Sequence, residues 1–165
     1  MPRIFELARW PDGYGPIHVT LEAVAAFKQG ALVVDADGDG EFDECGADPA
    51  AVYGVAKEKA FSHPGNEQAN ASDVIFTTGG SLNKCAVDKA NAPGLVWSGR
   101  GVNGGTDPVT PLLTHIGEQY GVLKTAAGEW VIDIAEVTAK VITIIDIDID
   151  NKIFFFQFIS TVAVA

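Results

Sequence analysis

The sequence is poor in the residues that usually carry reactive or metal-binding chemistry. Among 165 residues there are two cysteines, one methionine and three histidines. Cys45 and Cys85 lie far apart and match no zinc or CxxC redox spacing, which excludes the common cysteine-based motifs. They read as two free, partly buried thiols in a reducing compartment, and a Cys45–Cys85 disulfide stays open as the alternative. His18, His63 and His115 are scattered and read as isolated polar residues. No Gly-x-Ser-x-Gly elbow and no Gly-Lys-Ser/Thr phosphate loop is present, so nothing signals a hydrolase nucleophile or a nucleotide cradle. The expectation is that the chain is not an enzyme and needs no cofactor.

Positive charge is also scarce. Eleven Lys and Arg stand against 22 Asp and Glu, a net charge of −11. Phosphate binding is driven by cationic side chains, so neither nucleic acid nor an anionic membrane is expected as a partner. No apolar run approaches the ~20 residues that cross a bilayer as a helix. The opening Met-Pro-Arg-Ile-Phe-Glu-Leu has no apolar core followed by a small-residue cleavage site, so no secretory signal is expected.

What is present is apolar and glycine-rich: 47% hydrophobic residues, 18 glycines and eight prolines. A chain of this length buries roughly 70% of its unfolded surface, enough for a core without staples. Short β-branched and aromatic runs between turn residues predict a mainly β fold, a compact barrel or sandwich of short antiparallel strands. Pro2, Pro11, Gly13, Gly15 and Pro16 predict an extended N-terminal arm over residues 1–20, with one β-rich domain over 21–165. Strands are expected at Ala31–Val34, from Phe42, at Ala51–Ala56, Asp73–Thr78, Leu95–Trp97, Gly121–Thr125 and Glu129–Asp133. Residues 62–72 read as a polar loop, Gly99–Pro111 as a long irregular Gly/Pro loop and Leu112–Tyr120 as a brief helix.

The strongest local pattern is the C-terminal hairpin. Val141, Thr143, Ile145, Ile147 and Ile149 alternate with Ile142, Ile144, Asp146, Asp148 and Asp150. Period two assigns each set to one face, so the second face changes from apolar to acidic along the strand. A tight turn is expected at Asp150–Asn151, with Asn accepting left-handed geometry. The return strand Ile153–Ile159 is apolar on both faces and needs cover, in the core or from another subunit.

Charge is clustered as well. Asp35–Asp48 holds seven acids and no base, and Glu129–Asp150 holds six acids and one base. Asp35, Asp37, Asp39, Glu41 and Asp43 alternate around Gly38 and Gly40, the spacing by which calcium loops bring carboxylates onto a hard cation. Gly46 stands where an EF-hand needs its bidentate Glu, so that motif is not expected. An acidic turn without metal and a looser Ca2+ loop remain as the two readings. Trp10 in the arm is an interface candidate, together with Phe5 and Leu7. Phe154, Phe156 and Phe158 join them as residues expected against a partner.

Three blocks of the sequence carry a resemblance. Gly30–Val34, then Gly40 and its acidic turn, then Ala47–Ala56 with Gly54-Val55-Ala56 form the first. His115–Val122 with Gly128–Asp133 is the second, and Val141–Asp146 through Phe158 is the third. Together they resemble the capsid decoration, or head-stabilising, proteins of tailed bacteriophages over about two thirds of the chain; residues 57–110 lie outside the resemblance. The resemblance implies a non-enzymatic virion protein, made in the host cytoplasm and held on the outer capsid surface. It implies the major capsid protein as partner and self-association as a homotrimer. A β-rich receptor- or glycan-binding head or fibre module is the alternative.

Overall fold

The computed structural model describes residues 5–9, 17–21, 26–57, 60–61, 84–90, 92, 94–105 and 107–159. In chain order the strands are β1 (Glu6–Arg9), β2 (Ile17–Leu21), β3 (Ala26–Phe27), β4 (Leu32–Val34) and β5 (Glu41–Glu44). They continue as β6 (Gly54–Ala56), β7 (Ala60–Phe61), β8 (Lys84–Lys89), β9 (Val96–Gly99) and β10 (Gly101–Val102). The last are β11 (Pro108–Val109), β12 (Gln119–Lys124), β13 (Trp130–Asp133), β14 (Ile142–Asp148) and β15 (Ile153–Phe158). A single 3-10 turn, Leu113–His115, stands among the described residues. The protein is mainly β, as the sequence predicts.

The strands form a closed barrel, a larger sheet and a separate β3–β7 pair. The barrel runs β2-β5-β4-β6-β8 and back to β2. Four of its pairings are antiparallel, and β2 with β5 is parallel. Closure leaves these short strands without a bare edge. Their inward side chains fill the interior: Val19, Leu21, Leu32, Val33, Phe42, Val55, Cys85 and Val87 are all buried. Gly54 lets β6 lie directly on β8, since a Cβ there would collide with Val87 Cγ1 and the Asp88 carbonyl. A side chain at such a site costs about 1–3 kcal/mol in displaced neighbours.

The larger sheet has eight strands in the order β1-β9-β15-β14-β12-β13-β10-β11. Its core is aromatic. Trp97, Trp130, Phe154 and Phe156 are almost wholly excluded from solvent. Phe5 meets Phe156 edge-on at 5.0 Å between ring centres, and Phe156 meets Phe158 at 5.6 Å. Barrel and sheet share one continuous apolar cluster. Polar contacts bind the seam between them. Lys124 Nζ donates to Glu44 Oε2 at 2.6 Å, and the buried indole Nε1 of Trp130 donates to Glu44 Oε1 at 2.9 Å. Lys28 Nζ donates to the Ala127 carbonyl at 2.6 Å.

The C-terminal hairpin follows the period-two pattern, with one departure. Ile142 faces Phe158 and Ile144 faces Phe156, but Asp146 faces Phe155, so Ile145 is an extra residue. This β-bulge puts two residues opposite one and exchanges the faces beyond it. Ile147 then stands opposite Phe154 and packs on the core. The acidic and apolar halves therefore do not share a face, as uninterrupted alternation implied. The bulge keeps the isoleucines inward and turns Asp146 out to solvent. The turn also differs from expectation. Its left-handed residue is Lys152, at φ 57°, while Asn151 donates its backbone N–H and its amide to the Asp148 carboxylate.

Three further expectations change. Of the N-terminal arm, residues 1–4 and 10–16 lie outside the described residues. The rest is built into the body: Phe5 is buried, β1 pairs with β9, and β2 is a barrel strand that crosses the expected boundary at residue 20. The Gly99–Pro111 loop holds β10 and β11, pairing Gly101 with Val109 and Val102 with Pro108. The brief helix expected over Leu112–Tyr120 shrinks to the 3-10 turn, because β12 begins at Gln119. The polar loop at 62–72 and the strand expected at Asp73–Thr78 lie outside the described residues.

Candidate functional site

The acidic turn joins β4 to β5. Carboxylate oxygens of Asp35, Asp37 and Asp39 lie within 4.8 Å of one another. Glu41 and Asp43 do not join that group; they belong to β5. Much of the loop's geometry comes from internal hydrogen bonds. Asp35 accepts the N–H groups of Gly38 at 2.6 Å and Gly40 at 3.0 Å, and Asp39 accepts that of Glu41 at 2.8 Å. Gly38 and Gly40 take φ of +81° and +88°, the left-handed region that suits glycine. Asp-Gly chemistry thus accounts for the turn itself.

The residues expected at a partner interface are distributed differently. Phe5, Phe154, Phe156 and Phe158 are buried in the chain's own core and offer no surface to a partner. The apolar character of β15 is satisfied from within, by β14 and β9 on either side and by the rings packed around it. Leu7 pairs through its backbone with Trp97. Trp10 lies outside the described residues.

The exposed apolar surface lies elsewhere, at the end of the C-terminal hairpin. After Pro111 the chain makes its 3-10 turn, closed by the His115 N–H on the Leu112 carbonyl at 2.9 Å. The Leu112 N–H donates back to His115 Nδ1 at 3.1 Å. The His115 ring lies against Phe154, 5.4 Å between centres, and so ties the turn to the core. Gly117 donates to the Ile144 carbonyl at 2.8 Å, and Ile144 donates to the Glu118 carbonyl at 3.0 Å. These contacts fix the turn beside β14. They also leave its aliphatic side chains in water: Leu113 is 72% exposed and Ile116 42%. Ile149, on the hairpin turn, is 46% exposed.

Between turn and hairpin lies a shallow, open cleft. Leu113, Ile116, Ile147, Ile149 and Phe155 supply its apolar surface, and Asp146, Asp148 and Asp150 line it with carboxylates. The Asn151 side chain and backbone donate to Asp148 and hold its carboxyl below the usual carboxylate range, so it stays anionic. β12 pairs with β14 only at Ile142 and Thr143, so beyond Ile144 the described ladder of β14 continues on the β15 side alone.

Elsewhere the shifted titrations follow local structure. Burial pushes the Cys45 thiol up to about 12, with help from the Glu44 charge. Burial also raises Asp88, and the Lys57 ammonium at 3.4 Å partly offsets it. Glu136 is held low by the N–H groups of Ala139 and Thr138 that it caps. Cys45 and Cys85 are both buried and not bonded to each other.

Sequence reasoning missed the cleft. Its signal was the middle ring of Phe154-Phe155-Phe156, which on a strand points away from its neighbours, and the Leu112-Leu113 pair just before a turn. No protein-family model, no curated protein and no solved structure matches the chain. No helix among the described residues is long and apolar enough to cross a membrane.

Proposed function

We propose that the chain is a non-enzymatic structural protein that binds the outer surface of an icosahedral phage capsid and stabilises contacts between capsomers. The observation that carries the binding part is the exposed apolar cleft at the hairpin end. Leu113, Ile116 and Ile149 are exposed together beside three acids, an apolar centre with a charged rim of the kind that protein contacts use. The body behind it suits a clamp, because barrel and sheet share one core and neighbouring strands are tied by backbone hydrogen bonds. The net charge of −11 supports a protein partner over packaged DNA. The capsid as partner rests on the resemblance of the three sequence blocks. The major capsid protein, a homotrimeric state and a place on the virion belong to the same proposal.

The test is a copy count. DNA-filled particles from a producing culture are banded on a density gradient, and this chain is quantified against the major shell protein. A ratio near one to one supports the reading. A few copies per particle turns it towards a receptor-binding module, and absence from particles removes the capsid.

A further inference from the structure

We propose that the cleft between the 3-10 turn and the β14–β15 hairpin docks a partner segment in which apolar side chains are flanked by Arg or Lys. The inference deepens the reading of the chain as a protein-binding module and names what it binds.

Three observations converge on this occupant. The apolar surface is held ready rather than left loose. Leu113 and Ile116 are fixed by the Gly117–Ile144 and Ile144–Glu118 hydrogen bonds and by the His115 ring on Phe154. A preorganised site loses little entropy when a segment enters. The carboxylates recur at alternate positions, 146, 148 and 150, on the same rim. Asp148 already accepts two bonds from Asn151, and a carboxylate offers about four lone-pair positions, so room remains for a guanidinium or ammonium. Arg pairs with carboxylates through two parallel bonds, and its planar head tolerates partial burial beside Phe155. Finally, charge disfavours a second copy of this chain as the occupant. The rim is itself acidic, so this face of a second copy would meet like charge, whatever other face self-association uses.

The bulge in β14 narrows the mode of binding. The Ile145 bulge interrupts a regular ladder at the cleft, and bulges discourage strand addition. Recognition therefore runs through side chains in the cleft rather than through a continuous added strand.

The experiment uses the full chain and three labelled synthetic peptides read by fluorescence anisotropy. One has leucines flanked by arginines, one has serines in place of the leucines, and one has glutamates in place of the arginines. Leu113→Ser and Asp150→Asn are the variants; both positions are exposed, so circular dichroism should match the parent. The arginine–leucine peptide is expected to bind tightest. Leu113→Ser should weaken it about tenfold, the scale of a buried anchor, and Asp150→Asn about two- to fivefold, the scale of an exposed charge pair. Asp150→Asn should also flatten the loss of affinity between about 50 and about 300 mM salt. Equal binding of the serine peptide would reduce the effect to charge adsorption and overturn the proposal. So would an unchanged affinity in Leu113→Ser. A parent oligomer that Leu113→Ser dissociates would assign the cleft to a second copy and overturn it too.

The particle count separates this from the capsid reading. Peptide binding by a chain that is absent from particles sinks the capsid alone. Full attachment of Leu113→Ser to particles sinks the cleft alone.

Discussion

Replacing Glu44 with alanine removes one carboxylate from the seam between barrel and sheet, and with it two partners at once. One is the Trp130 indole N–H. Trp130 is fully excluded from solvent, so its donor has no water to turn to. A buried donor left without an acceptor costs about 1–3 kcal/mol. The other is the Lys124 ammonium, 2.6 Å away, with side chains 33% and 15% exposed for Lys124 and Glu44. A pair this close to solvent is worth ~0.5–1 kcal/mol after screening. Glu44→Ala is therefore expected to lose about 2–4 kcal/mol. Glu44→Gln keeps an acceptor for the indole and gives up only the ion pair, so it should lose ~1 kcal/mol or less. Urea unfolding of both variants gives the two differences, and the gap between them isolates the indole bond. The Trp130 indole N–H resonance should move in Glu44→Ala and hold in Glu44→Gln. If both variants unfold within ~0.5 kcal/mol of the parent, the seam is not held in this way.

Deleting Ile145 should be tolerated, with a loss under ~2 kcal/mol, because it removes the bulge and leaves Ile144 and Ile147 on the inward face. Deleting Ile147 should abolish folding, since it swings Asp148 into the core; thermal melts of the pair decide the point. Neither thiol should react with a disulfide reagent at pH 8 in the native state. Both cysteines are buried, and a Cys45 thiol pushed up to about 12 is ionised to only about one part in ten thousand there; both should react in denaturant. Glu136 has a lowered folded pKa, so its contribution is full above its unfolded value and is lost as pH falls through the folded one. The melting-temperature gap between the parent and Glu136→Gln should then be widest near neutral pH and close in acid.

The parts of the fold legible in the sequence are those where side-chain period and strand coincide. Val33-Val34, the return strand from Phe42 and the 141–158 hairpin all announced themselves. β8 did not. Lys84-Cys-Ala-Val-Asp-Lys89 is short on β-branched residues, and its inward positions are held by Cys85 and Val87 between charged ends. β10 and β11 escaped because two-residue strands leave no period among glycines and prolines. The bulge was hidden by its own composition. Thr143-Ile144-Ile145 carries no polar residue on which a change of phase would register. The cleft was hidden for a related reason. A sequence shows that Leu113, Ile116 and Phe155 are apolar, but the loss of helix after His115 and the early start of β12 decide that they meet water. Burial was assigned to the right rings, Phe154, Phe156 and Phe158, and of the two covers expected, core or partner, the chain's own core supplies it.

The pairing of β1 with β9, and of β9 with β15, sets the order in which this protein can be finished. β1 enters at Glu6–Arg9, yet its ladder partner spans Val96–Gly99, and that strand leans in turn on Phe154–Phe156. The barrel has the same shape in time: β2 closes against β8, some sixty residues downstream. During synthesis the barrel strands find partners by β8, but β1 has no ladder to join until β9 has emerged, and β9 has no sheet until the last hairpin follows. Chaperone contact, proteolysis and truncation therefore act hardest on the unfinished sheet. A nonsense mutation that removes only β15 would leave the first strand without its sheet, and damage at one end of the sequence would be read out at the other.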